Sequence, residues 1–357
     1  MAARNMMLGA VAGALAIYGA AGPASSAPAA HAKAAGYTAP RTAFGQPDLA
    51  GFWSSATLTP MTRERNLGER LVLTPAEVDA LEKDEASQVV AGNKSTDPNA
   101  PVNAPNGLEL KPSFAAAGGD VGGYNRGWLD PGHTVMRVGG QPRSSILITK
   151  DGQVPQRRNG TAAPANEYGG EGSRGSLGSF ENVEQRPLGE RCIAFGRNVG
   201  PPMLPNGFYN NNYYIVQTPN AVVIEVEMVH DVRVVPLNAK HRTDGLRPWA
   251  GDSIGWWEGD TLVVETTNFP QAQNFNGAWK NLKITERFTR TAKDRLRYRF
   301  TVSDPDTWSE PWSGEYEFSP LHGVIYEYAC HEGNYSLPGI LAGGLKAQQV
   351  SAASPGR

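Results

Sequence analysis

The chain has 357 residues, with 33 Lys and Arg against 35 Asp and Glu and a formal charge of -2. A near-neutral chain without a basic block lacks the positive footprint that nucleic-acid binding requires. A hydrophobic fraction of 40% supports a sizeable core, and 41 Gly with 27 Pro suit a turn-rich β protein better than a helical one.

The N-terminus reads as a secretory signal over residues 1–32. Arg4 supplies the positive charge, Met6 to Ala21 is a small apolar stretch, and Ala30-His31-Ala32 fits a cleavage site. No later run approaches the roughly 20 apolar residues of a membrane span, so no stable membrane insertion is expected. The expected location is periplasmic or secreted. Cys192 and Cys330 are the only cysteines. In an oxidising compartment an isolated pair is most simply a disulfide. Closing so long a loop is worth about 4–5 kcal/mol in the chain-entropy model.

Residues 33–125 read as an N-terminal segment with one helix and long loops. Thr74-Pro75-Ala76-Glu77 is a capping box with Pro at the first helical position, which predicts a helix from Pro75 to Val89. Ala91 to Gly123 and Gly152 to Ser179 are rich in small and turn residues and lack periodicity. Residues 126–345 read as a β domain, and 346–357 as a disordered tail.

Strand signals begin at Ser144 to Ile148 and become regular from Tyr213. Tyr213 to Gln217 is one strand. Ala221 to Val235 reads as one long strand. Ile254 to Trp257 and Thr261 to Thr267 flank a Glu-Gly-Asp hairpin loop. Leu282 to Thr289 and Arg295 to Ser303 form the next pair, and Trp312 to Phe318 and Val324 to Cys330 the last. The fold class is therefore mainly β: an antiparallel meander closing into a barrel or a curved sheet.

Alternation sorts each strand into two rows. Val222, Ile224, Val226, Met228, His230, Val232 and Val234 form the inner row of the long strand, with Arg233 outside. Leu282, Ile284, Glu286 and Phe288 share the inner row of a second strand, and Leu296, Tyr298, Phe300 and Val302 that of a third. Arg295, Arg297 and Arg299 face solvent. His230 and Glu286 are thus the ionisable exceptions in apolar rows. Such groups are costly unless paired or neutral. One reading makes them catalytic acid and base beside ligand-orienting tyrosines; the other has them satisfy each other.

Tyr298, Tyr326, Tyr328, His331, His241, Asp252, Trp308 and Trp312 complete the expected ligand-binding set, since Tyr and Trp at strand mouths suit flat aromatic, terpenoid or sugar ligands. Gly251-Asp252-Ser253-Ile254-Gly255 has the letters of a nucleophile elbow, but a hairpin follows where a helix is required. The histidines show no metal-ligand spacing, and neither metal nor cofactor is expected.

Gly51-Phe52-Trp53 resembles the G-x-W signature of lipocalins, whose Trp closes the base of the barrel, and by this resemblance the expected barrel is lipocalin-like. The stretches Trp257-Glu258-Gly259-Asp260-Thr261-Leu262-Val263-Val264-Glu265-Thr266-Thr267-Asn268-Phe269 and Tyr326-Glu327-Tyr328-Ala329-Cys330-His331-Glu332-Gly333-Asn334-Tyr335 resemble a large family of secreted bacterial proteins. That resemblance implies the compartment and an intact domain, and carries no activity. The expected function is acid–base action on a small aromatic, terpenoid or glycosidic molecule, by a hydrolase, lyase or isomerase. The alternatives are a non-catalytic carrier and a structural envelope protein. The sequence leaves the oligomeric state open.

Overall fold

The structure is a computed structural model that describes residues 37–93, 129–158, 180, 182–195, 200–207 and 209–353. The expected signal segment and most of both long loops lie outside the described residues.

Nine strands form one antiparallel sheet. They are β1 (Gly51–Ser54), β4 (Asn212–Gln217), β5 (Ala221–Val226), β6 (Asp231–Pro236), β7 (Asp252–Glu258), β8 (Thr261–Thr267), β9 (Lys283–Ala292), β10 (Arg295–Ser303) and β11 (Trp312–Pro320). A small separate ribbon pairs β2 (Arg137–Val138) with β3 (Gln141–Pro142). Two α-helices, α1 (Pro75–Gly92) and α2 (Ser336–Ala353), accompany them among the described residues. The sheet order is β6-β5-β4-β1-β11-β10-β9-β8-β7, so β1 joins two meanders.

The expected barrel does not close. A ring of an odd number of antiparallel strands must place its two edge strands parallel to each other, so the antiparallel ladder cannot be continued across the seam. Here β6 and β7 meet at a single parallel bridge, Leu237 to Gly255. The Asn238 N–H donates to the Gly255 carbonyl at 2.7 Å. A Cβ on Gly255 would stand 2.8 Å from Val235 Cγ1, so only glycine lets the edges approach this closely.

The sheet is nonetheless strongly curved. Arg233 on β6 forms a bidentate ion pair with Glu286 on β9, although six places separate the two strands in the sheet. One core fills the concave side. Val222, Ile224, Ile284, Phe288, Leu296, Tyr298, Phe300, Tyr316 and Phe318 are all essentially inaccessible. Met203, from the loop before β4, is inserted among them.

Three sequence expectations are corrected. The stretch Ala221 to Val235 is a hairpin, not one strand: Met228–His230 is a turn between β5 and β6. The turn shifts the alternation, so Arg233 and Val235 point inward while Val232 and Val234 are half exposed. Val324 to Cys330 forms no strand, and Val324 is exposed. The outer face of β10 is not simply solvated, because Arg297 is buried against Glu317, with nitrogens 3.1 and 2.9 Å from Oε1.

Helix α1 follows its sequence signal closely. Thr74 Oγ1 accepts the Glu77 N–H, and Glu77 Oε2 accepts the Thr74 N–H at 2.8 Å. This reciprocal cap satisfies two free donors at the first turn. Arg70 holds the Glu77 carboxyl down at about 2, with help from the Thr74 donors. At the other end of the chain, where the sequence suggests a tail from 346, α2 continues to Ala353.

Candidate functional site

The inner polar cluster comes first in burial. Arg233 Nη1 and Nη2 donate to Glu286 Oε2 and Oε1 at 2.5 and 3.0 Å, with both side chains almost wholly buried. Tyr298 Oη donates to Glu286 Oε1 at 2.8 Å and accepts the Met203 N–H at 2.8 Å. Tyr316 Oη donates to the Met203 carbonyl at 3.1 Å. Burial, then Glu286, pushes the Tyr298 phenol well above its ordinary value, and burial likewise raises Tyr316. Both remain protonated donors. Burial opposes the charge on Arg233, but Glu286 outweighs it and the guanidinium lies above its ordinary value.

Glu286 therefore occupies the inner row as expected, yet its partner is Arg233 and not His230. Both carboxylate oxygens are engaged. His230 is on the surface. The correction has a local cause: the turn ends the inner row at Met228. Val229 and His230 adopt φ of 59° and 42°, a left-handed conformation that is costly for a β-branched residue.

That turn meets the segment following β11. His230 Nδ1 lies 3.2 Å from the Tyr328 carbonyl. A carbonyl only accepts, so Nδ1 carries a proton, and in the neutral ring the lone pair sits on Nε2. Nε2 has no hydrogen-bond partner among the described residues. Glu227, at the start of the turn, is only 3% exposed. Its Oε1 accepts the Tyr326 N–H at 3.0 Å and its Oε2 accepts Asn212 Nδ2 at 2.7 Å. Burial pushes the Asp231 carboxyl up, against the opposing pull of the Val232 N–H, Arg233 and His230.

The other expected residues fall into separate places. Tyr326 is 72% exposed, and Tyr328 packs partly against the core. His331 is exposed, and its carbonyl accepts the Asn334 N–H. Cys192 and Cys330 form the expected disulfide, 138 residues apart. Beside it lies a cleft of about 250 Å³ lined by Glu190, Cys330, Glu332, Asn334, Leu337 and Ile340. Trp308 and Trp312 do not line a mouth: both are buried and meet edge to face at 5.5 Å.

His241 and Asp252 do come together, on the outer face. His241 Nδ1 is 2.9 Å from Asp252 Oδ2, and Nε2 is 3.3 Å from Glu265 Oε1. Asp252 Oδ2 also accepts the Arg242 N–H at 2.8 Å, and Lys283 pairs with Glu265 at 3.3 Å. Each ring nitrogen is taken by a carboxylate, so this imidazole fastens the loop before β7 to the sheet. Because the carboxylates lie on opposite nitrogens, they do not converge on one point. Among the described residues no group of three His, Cys, Asp or Glu is placed to hold a metal ion. Ser253 faces inward and its Oγ lies 2.8 Å from Thr266 Oγ1, within the β7–β8 hairpin.

Arg233 and Glu227 are the residues that sequence reasoning missed. The turn Met228-Val229-His230 contains no Gly, Pro, Asn or Asp, so nothing local marks it. The usable signal was Glu286 itself: a carboxylate in an apolar row demands a buried cation.

No protein-family model and no curated protein matches the chain. Among solved structures, a crystal structure of a mutant of the fluorescent protein UnaG aligns with 38% of this chain and 88% of its own, at 13% identity and a TM-score of 0.22. That value is too low to support an argument about fold or function. Among the described residues no helix is long and apolar enough to cross a membrane.

Proposed function

We propose that the protein is a periplasmic or secreted acid–base enzyme acting on a small organic molecule, with His230 as its proton acceptor. One observation carries this reading. The imidazole is tethered through Nδ1 to the Tyr328 carbonyl and, among the described residues, open at Nε2. A ring fixed by one nitrogen and free at the other is what a general base requires. The two left-handed residues of the turn support a functional reading, since such strain concentrates where geometry is being enforced. Asp231, next in the chain, has a carboxyl raised by burial, the kind of perturbed group that gathers at working sites. Exposed Tyr326 offers a flat ring to an aromatic, terpenoid or glycosidic substrate. Glu286 serves in this scheme as a pillar and not as the acid. The disulfide, the N-terminal stretch and the resemblance to secreted bacterial proteins support the compartment.

A non-catalytic carrier is the second reading, favoured by the neutralised interior: the inner carboxylate is spent on Arg233 and Tyr298. One experiment separates the two. The purified protein and a His230→Gln variant are incubated with a mixture of aromatic, terpenoid and glycosidic compounds and followed by mass spectrometry. A compound consumed by the wild type, and about 100-fold more slowly by the variant, is the expected result. Equal consumption by both removes His230 from the chemistry. A compound retained unchanged by both makes the protein a carrier.

A further inference from the structure

We infer that the Cys192–Cys330 disulfide is a releasable clamp on the His230 site, opened by a dithiol reductant; this rests on His230 being the working base. The segment Leu321–Tyr335, between β11 and α2, belongs to no strand or helix. Its tethers include the Leu321 N–H to the Phe52 carbonyl, the Tyr326 N–H to Glu227, and the Tyr328 carbonyl to His230. Asn334 Nδ2 adds a bond to the Glu190 carbonyl at 3.3 Å. The one covalent tether is the disulfide, two residues after Tyr328. A segment without ladder hydrogen bonds opens more readily than the sheet beneath it. The bond that sets how firmly it lies down therefore also sets whether Tyr328 orients the imidazole.

Both cysteines are partly exposed, and Cys330 lines the open cleft. A thiolate of the reductant attacks Cys330 Sγ, which breaks the disulfide and releases Cys192 as a thiolate. The reductant's second thiol then displaces Cys330 and closes the reductant's own disulfide. Both cysteines take up protons, so two electrons and two protons pass to the protein. The sheet ladders do not involve either cysteine and stay intact.

The test is NMR of the full chain labelled with nitrogen-15 in its histidine rings, before and after dithiothreitol, beside a Cys192→Ser, Cys330→Ser variant. The oxidised protein should show a protected Nδ1–H at His230. Reduction and the double variant should each lose that signal, leave sheet amides in place, and speed proteolysis within 321–335 by about tenfold or more. An unchanged His230 signal after verified reduction overturns the clamp. So does collapse of the whole sheet, which would make the bond a general staple. Neither result reports on turnover, which the His230→Gln assay measures alone, so the two readings fail separately.

Discussion

The strands β7 to β11 and the strands β1 and β4 to β6 cover the same core from two sides, and their outer faces differ. Strands β9, β10 and β11 are 10, 9 and 9 residues long, and this half carries charge on its outer face. Arg143 meets Glu315 at 2.6 Å, Arg297 meets Glu317, and Arg287 meets Glu258 at 2.7 Å. The other half has strands of four to six residues and a mostly apolar outer face, with Glu225 its charged exception. Phe52 stacks on Tyr214 at 4.3 Å, and Phe52, Val232 and Val234 are each more than 40% exposed. The charged half fixes its register through cross-strand partners. The apolar half takes its register from what lies inside, and chiefly from Arg233.

This difference predicts where the molecule breaks. Replacing Arg233 by Met leaves the buried Glu286 carboxyl without its cation. The expected cost is about 3–5 kcal/mol, read from urea unfolding. A second change, Glu286→Leu, should recover most of it, because an apolar pair can replace a buried ion pair. If Arg233→Met alone lies within about 1 kcal/mol of wild type, the apolar half does not depend on this anchor.

The seam between the halves is the next most sensitive place. Gly255→Ala would drive a Cβ against Val235 Cγ1 at 2.8 Å and Leu237 Cδ2 at 3.2 Å. Overpacking of this kind costs about 1–3 kcal/mol. Hydrogen exchange at Asn238, whose N–H crosses the seam, should accelerate in the variant. Unchanged exchange there would mean that the edges are held elsewhere.

Much of the charged half was legible because β9 and β10 largely alternate on either side of a Lys-Asp turn and β7 and β8 flank a Gly-containing one. Leu296, Tyr298, Phe300 and Val302 all fall inward as their period of two demands. The apolar half was harder to read. A stretch that is apolar on alternate positions on both sides of an unmarked turn looks like one long strand, and the phase shift at Met228–His230 leaves no trace in residue types. That single phase shift carries His230 out of the core, Arg233 into it, and Val232 and Val234 onto the surface. The site was half legible for the same reason. His230 and Tyr328 were both singled out, but they meet through a backbone carbonyl, and no side-chain pattern encodes that contact.

Exposed valines on the apolar half give a smaller effect. Val234→Thr should change stability by no more than about 0.5 kcal/mol, as is usual for surface sites. Arg297→Ala, on the charged half, should cost about 1–3 kcal/mol because it strands the mostly buried Glu317 carboxylate. Equal costs at the two sites, measured side by side in urea, would erase the distinction between the two outer faces.

The finest test uses one acid from each edge strand. Asp231 opens β6 and its carboxyl is raised by burial. Glu258 closes β7 and its carboxyl is lowered by Arg287 and then Trp256. The signs are opposite. A raised carboxyl makes its full contribution below the unfolded carboxylate range, near pH 4, and loses it as pH rises through the native value. A lowered carboxyl contributes above that range and loses its contribution as pH falls. Relative to wild type, Asp231→Asn should therefore gain stability as pH is raised from about 3.5 to 7, while Glu258→Gln should lose it over the same span. The Glu258 effect is the smaller of the two, since that pair is exposed to solvent screening. Urea midpoints of both variants across this range decide the matter. Parallel curves would show that burial on β6 and pairing on β7 act on their carboxylates alike, and the contrast between the two edges would then have no electrostatic content.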